Sequence, residues 1–259
     1  MSHNVFDPID PIRFGWNTLK SNLKFFFVLM VIVAVLYNLP SLIWTLILSQ
    51  ANASDSSIVI AIFALIAVAS GIIYLLMELG LLDISLSFRD GLLPQIQDLF
   101  RQYPLLLKYL AAYIIYSLMV FIGFMLLIVP GIYLGLKYQF YGYLIVDKRL
   151  GPIEALKESS RMTSGAIMNL FVFWLSLYTG IAIIMIILMI FIMIPLGLMA
   201  EASSPDMVLI LSIIFSFIIS ILAVLVILPI TKLATADIYR ILEARLAASS
   251  APPAPSEVI

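Results

Sequence analysis

Two ionisable residues, Glu78 and Lys137, fall inside runs of sequence that are otherwise apolar. A charge at the centre of a spanning helix costs about 2.5–3.5 kcal/mol against insertion, so it is normally matched by a partner. A carboxylate and an ammonium at membrane depth make either a structural ion pair or a polar site in a conduit. The economical expectation is a Glu78–Lys137 pair, with Asp83 as the alternate carboxylate and inward snorkelling of Lys137 as the competing outcome. Other chemistries are poorly supplied. The chain has no Cys and a single His, His3, which removes thiol nucleophiles, disulfides and His-based triads. It carries no GxxxxGK[ST] loop, HExxH or GxSxG elbow. Asp83, Asp90, Asp98 and Asp147 are spread over two loops, too far apart in sequence to read as a divalent-ion cluster. A non-enzymatic protein without cofactor or metal is expected.

The elements that must position such a pair follow from composition. The 259 residues are 63% hydrophobic and 11% charged, against about 45–50% and about 25% in soluble domains. The balance of 14 Lys+Arg against 15 Asp+Glu gives no attraction to nucleic acid. A helical span needs about 20 mostly apolar residues. Phe25–Leu48, Ile58–Leu82, Tyr109–Val129, Leu170–Leu196 and Met207–Thr231 qualify, and Gly131–Val146 is short for a span. Pro130-Gly131 reads as a tight break, so the third and fourth runs form a hairpin. None of the runs shows the period-2 alternation of a membrane barrel. The first run is longer than the about 7–15 apolar residues of a signal peptide and is kept as a span. The predicted fold is all-α: a polytopic bundle of six transmembrane helices over 1–248, followed by a disordered tail at 249–259.

Charge sets the orientation. Arg13, Lys20 and Lys24 precede the first run; Arg89, Arg101 and Lys108 lie in the second inter-helix loop. Lys137, Lys148, Arg149, Lys157 and Arg161 follow the hairpin turn; Lys232, Arg240 and Arg245 close the chain. With six spans all 14 fall on one side, leaving Asp55, Glu201 and Asp206 opposite. The positive-inside rule then puts both termini in the cytoplasm. On that side, amphipathic segments open at Pro11, Pro94 and Pro152, and a fourth covers Leu233–Leu246. All four are expected to lie in the interface plane. Lys148-Arg149 and Lys157–Arg161 would face anionic lipid head groups.

Small-residue spacing, in Gly131-xxx-Gly135, Ser176-xxx-Gly180, Ala67-xxx-Gly71 and Ser212-xxx-Ser216-xxx-Ser220, predicts close helix packing. Tyr133, Tyr138, Phe140, Tyr141 and Tyr143 make the fourth run strongly aromatic, which suits interfacial anchoring.

The stretch Leu126–Tyr138, with Pro130, Gly131, Ile132, Lys137 and Tyr138, continues through Asp147, Gly151, Ala155 and Ser159. It resembles the YciC-like bacterial inner-membrane proteins and the membrane domain attached to some glycerophosphodiester phosphodiesterases. Lys137 stands where those proteins often carry Arg. The close resemblance covers about 105–165 and implies a multi-pass protein of the bacterial inner membrane; no phosphodiesterase domain is present to carry that activity over. Two functions are expected from different classes. The first is a scaffold or accessory protein that organises lipid or partner membrane proteins, closed inside. The second is a transporter of a small solute or lipid through a polar site around Glu78/Lys137, which requires a cavity.

Overall fold

In a bilayer every backbone N–H and C=O must be bonded within its own segment, so apolar runs of this length become helices. The computed structural model describes residues 5–50, 56–200 and 205–250, with most side chains of 45–58 and 192–223 outside the description. Helix is the only regular structure among the described residues, which hold no strand. In chain order the helices are α1 (Ile9–Ser21), α2 (Leu23–Gln50), α3 (Ser56–Arg89), α4 (Leu106–Leu126), α5 (Ile128–Tyr138), α6 (Tyr141–Lys148), α7 (Pro152–Met162), α8 (Ile167–Ala200) and α9 (Pro205–Ser250). Among the described residues four stretches are long and apolar enough to cross a membrane: Leu23–Trp44, Val59–Arg89, Ile96–Leu126 and Ile167–Phe191. The run Met207–Thr231 forms the first half of α9, where most side chains lie outside the description.

Residues α3 and α9 share out the interior. On α3, Leu79, Leu82 and Leu86 join one core with Tyr109, Phe140, Leu144 and Tyr239, while Met77, Leu81 and Ile84 face a second core with Phe26, Leu29, Met30 and Leu99. Spacings of three and four residues put each set on one helical stripe. Away from this region the helices are apolar all round and exposed, as at Leu65 and Val68 on α3 and Ile187 and Phe191 on α8. Such surface suits hydrocarbon rather than water.

The expected hairpin forms, but its turn is at Leu127. This residue is extended (φ −164°, ψ 157°) and separates α4 from α5 directly. A Cβ on Gly123 would lie 2.9 Å from Gly131 Cα, so the two helices meet backbone to backbone. The returning arm differs from the single span expected over Gly131–Val146. It is broken at Gln139–Phe140 into α5 and α6, and runs back far enough for Lys108 Nζ to reach the Arg149 carbonyl at 3.4 Å.

Two other expectations change. Of the amphipathic segments, the one after Pro94 is not an α-helix but two 3-10 turns, Ile96–Phe100 and Tyr103–Leu105. Leu233–Leu246 does not lie on the surface: it continues α9 through Pro229, and Leu233, Ala234, Ala236, Ile238, Tyr239 and Leu242 are buried. Asp237, Arg240 and Glu243 of its polar stripe pair with neighbouring helices, while Arg245 stays exposed. Among the described glycines of those spacings, Gly131 packs against Phe124 of α4, whereas Gly71 and Gly180 face open space. The side chains of Ser212, Ser216 and Ser220, like Asp55, Glu201 and the tail beyond Ser250, lie outside the described residues.

Candidate functional site

Arg89, Arg101, Lys148 and Arg240 are tied into a charged layer at one end of the bundle. Arg240 on α9 is its hub. Its guanidinium donates to Asp90 Oδ2 at 2.6 Å, to both oxygens of Asp147 at 2.8 and 2.9 Å, and to Glu243 at 2.7 Å. Arg89 pairs with Asp237, Lys148 with Glu243 (2.9 Å), and Arg101 with Asp83 (2.7 Å) and Asp98 (3.2 Å). Burial works against the Arg240 charge, yet hydrogen bonds to Asp90, Asp147 and Glu243 raise its pKa. Burial also pushes the Tyr239 hydroxyl up, helped by Asp147, to which it donates at 2.8 Å. Burial raises the Asp237 carboxyl while Arg89 pulls it back.

Above this layer, Glu78 of α3 pairs with Lys232 of α9, not with Lys137. The reason is position. Lys137 lies in the last turn of α5, and its neighbours include Gly165 at the head of α8 and Leu246 of α9. From Lys232 to Leu246 is about 21 Å of helix at ~1.5 Å per residue. The ammonium of Lys137 instead lies 5.3 Å from the ring centre of Tyr133 and 5.9 Å from that of Tyr138. The alternate carboxylate, Asp83, is held by Arg101 and by Gln102 Nε2 at 2.8 Å.

The Glu78–Lys232 pair sits on the wall of a cavity of about 620 Å³. Its size falls within the about 300–1,000 Å³ of small-molecule sites. The cavity follows α4 from Tyr109 to Phe124, about 22 Å of helix. The charged groups, Glu78 and Lys232, share one part of the wall with Thr231 and Thr235, and Gln139 adds a further polar group. Val120, Phe124, Ile132, Phe171, Leu175 and Tyr178 line another part. Leu175, Tyr178 and Phe124 are also exposed on the bundle's side, so this apolar part opens laterally between the α4–α5 hairpin and α8.

The residues that carry the family resemblance build the break in the returning arm. At Gln139–Phe140 the helical ladder is interrupted, and α7 replaces what is lost. Ser159 Oγ donates to the Lys137 carbonyl at 3.1 Å and accepts from Phe140 N–H at 3.1 Å; Thr163 Oγ1 donates to the same carbonyl at 3.0 Å. Ser159 and Thr163 are fully buried, and Ala155 beside them leaves room for the crossing. Ile132 and Tyr138 pack against the core, Gly131 closes on α4, and Asp147 anchors the far end of α6 to Arg240. Gln139, freed by the break, turns into the cavity, where its Oε1 accepts from Trp174 Nε1 at 2.7 Å. Non-helical backbone at membrane depth is tolerated where it is buried in protein or lines a cavity.

The sequence therefore singled out Glu78 and Lys137 as partners, and the structure does not bring them together. It did not flag Lys232, which stands at the border of an apolar run and was legible only as a topology charge. Gln139 and Trp174, 35 residues apart, had no signal. Of the proposed head-group residues, Lys148 is neutralised by Glu243 and Arg161 pairs with Glu158 at 2.9 Å. No protein-family model, curated protein or solved structure matches the chain, so the functional reading rests on its own residues.

Proposed function

We propose that this chain is a six-pass membrane protein that binds an amphipathic, lipid-like molecule in the aromatic cavity and moves it within or across the bilayer. The cavity supports this reading over a closed scaffold: it is open to the side, aromatic along its length, and charged on one part of its wall. A ligand of matching pattern enters with its tail between Phe124 and Tyr178 and its head toward Glu78 and Lys232. Because those two charges offset each other, the head that fits is zwitterionic or neutral and hydrogen-bonding, not a bare anion. The break at Gln139–Phe140 supplies a place where α5 and α6 reorient independently.

Brominated-tail lysophosphatidylethanolamine tests this by fluorescence. Of three tryptophans, Trp174 alone lines the cavity, so Trp16→Phe and Trp44→Phe leave it as reporter. Quenching should saturate with probe and weaken at least about tenfold on Lys232→Met, the scale of one lost charge-assisted contact. Quenching that rises linearly with the probe fraction, unchanged by Lys232→Met, returns the scaffold reading.

The proposal includes a bacterial inner-membrane location with both termini cytoplasmic. Charge segregation and the YciC-like resemblance support it. Reporter fusions at Asp90, Leu150 and Ser250 should give cytoplasmic signal, and fusions at Asp55, Gly131 and Ser204 periplasmic signal. A periplasmic signal at Ser250 sinks the six-pass arrangement.

A further inference from the structure

A second cavity, of about 470 Å³, opens beside the charged layer between α5, α7, α8 and α9, away from the Glu78–Lys232 pair. Lys137, Arg161, Ser160, Ser164 and Gly165 line it, with Tyr133, Ile167 and Leu246 as an apolar lip. Arg245 reaches its rim: Nη1 donates to the Ser164 carbonyl at 3.4 Å, and Nη2 lies 3.0 Å from where a Cβ on Gly165 would be. Gly165 has φ +75°, so the absence of a side chain both permits the turn and leaves room for the guanidinium. Three cations from three helices, α5, α7 and α9, thus converge on one hollow.

Their electrostatics differ from those of the ion-paired cations of the charged layer. Arg89, Arg101, Lys148, Lys232 and Arg240 each have a carboxylate partner. Among the described residues, Lys137 and Arg245 have no carboxylate within 4.0 Å, and only Arg161 is partly offset, by Glu158. Lys137 is also held by two tyrosine rings, which keep the ammonium in place without neutralising it. Concentrated positive charge, offset only at Arg161, beside hydroxyls in a concave site is the complement of an oxyanion.

We infer that this hollow is a binding site for a phosphate group, held by Lys137, Arg161 and Arg245 with the Ser160 and Ser164 hydroxyls as further donors. The planar Arg245 fork suits two phosphate oxygens, and Lys137 supplies a point charge. The apolar lip accommodates the glycerol end of an anionic phospholipid, while free phosphate meets the same cations from water. This site is independent of the amphiphile cavity.

Full-length protein in a non-ionic detergent, titrated with sodium phosphate at ionic strength held constant with chloride, should show a saturable rise in unfolding temperature. Lys137→Gln with Arg245→Gln should raise the apparent Kd at least about tenfold, the scale of losing charge-assisted contacts. Lys157→Gln, at an exposed cation of α7 outside the hollow, should leave it unchanged, which separates specific binding from bulk charge. A parallel titration with phosphatidic acid against phosphatidylcholine identifies the source. Half-saturation by phosphatidic acid well below that of inorganic phosphate assigns a lipid head group, and equal half-saturation assigns the free ion. If the Gln variants are too unstable to purify, Lys137→Arg should retain phosphate binding while Arg245→Lys weakens it. Chloride matching phosphate, or variants binding as wild type, overturns the inference.

Discussion

Arg240→Met should lower stability by about 3 kcal/mol, read as a large fall in the thermal unfolding midpoint in detergent. The size follows from what is left behind. Asp147 on α6 loses both guanidinium bonds and keeps only the Tyr239 hydroxyl. Asp90 is more exposed and rehydrates, and Glu243 retains Lys148. Removing one member of a fully buried pair costs about 3–5 kcal/mol; here Asp147 and Arg240 are each about one-fifth exposed, which places the effect at the lower end. Arg240→Lys should recover less than half. An ammonium cannot reproduce a planar fork that bonds Asp90 and Asp147 together. If Arg240→Lys unfolds with wild type, the fork geometry contributes nothing and the argument fails. The consequence reaches the cavity, because Asp147 is how α6, the second piece of the broken arm, is fastened to α9.

The parts of this architecture legible in the sequence are those governed by hydropathy. Apolar length alone called for helices, and Pro130-Gly131 marked the hairpin within three residues of its turn at Leu127. The break at Gln139–Phe140 was hidden because nothing local causes it: no Pro or Gly stands there. It is stabilised from outside, by Ser159 and Thr163 on α7. The fate of Leu233–Leu246 was hidden for a related reason. An amphipathic stripe next to an apolar run has the same pattern whether its charges meet water or meet Asp90, Asp147 and Arg89. Small-residue spacing failed at Gly71 and Gly180 because spacing states that a close approach is permitted, not that a partner arrives. Glu78 was singled out as a residue needing a partner, and it pairs with Lys232. Its partner was missed since depth within an apolar run was the only criterion, and Lys232 lies at the edge of its run. The separation of 154 positions in sequence between Glu78 and Lys232 makes such a pairing a property of the fold rather than of any window of sequence.

Glu78 and Lys232 should therefore behave as one unit in a double-mutant cycle. Glu78→Gln leaves the Lys232 ammonium beside a neutral amide, and Lys232→Met leaves a carboxylate facing Tyr109, Tyr141 and Tyr143 in the cavity. Each single change should cost about 2–4 kcal/mol, just under the range for a fully buried pair. The carboxylate should be the worse orphan: the ammonium on its flexible stem can turn toward Thr231, Thr235 or the charged layer, while Glu78 is fixed by its place on α3. The double variant should recover much of the loss, giving a coupling energy in the about 0.5–3 kcal/mol range of residues in contact. The same cycle with Lys137→Met in place of Lys232→Met should show no coupling beyond about 0.5 kcal/mol, because Lys137 lies at the other hollow against Tyr133 and Tyr138. Thermal unfolding of the variants in one detergent measures both cycles. Strong coupling of Glu78 to Lys137 would overturn the pairing, and with it the assignment of the cavity's charged wall. Coupling to Lys232 with no loss of lysolipid binding in the double variant would keep the pair structural and move the ligand's head to Gln139 and Trp174.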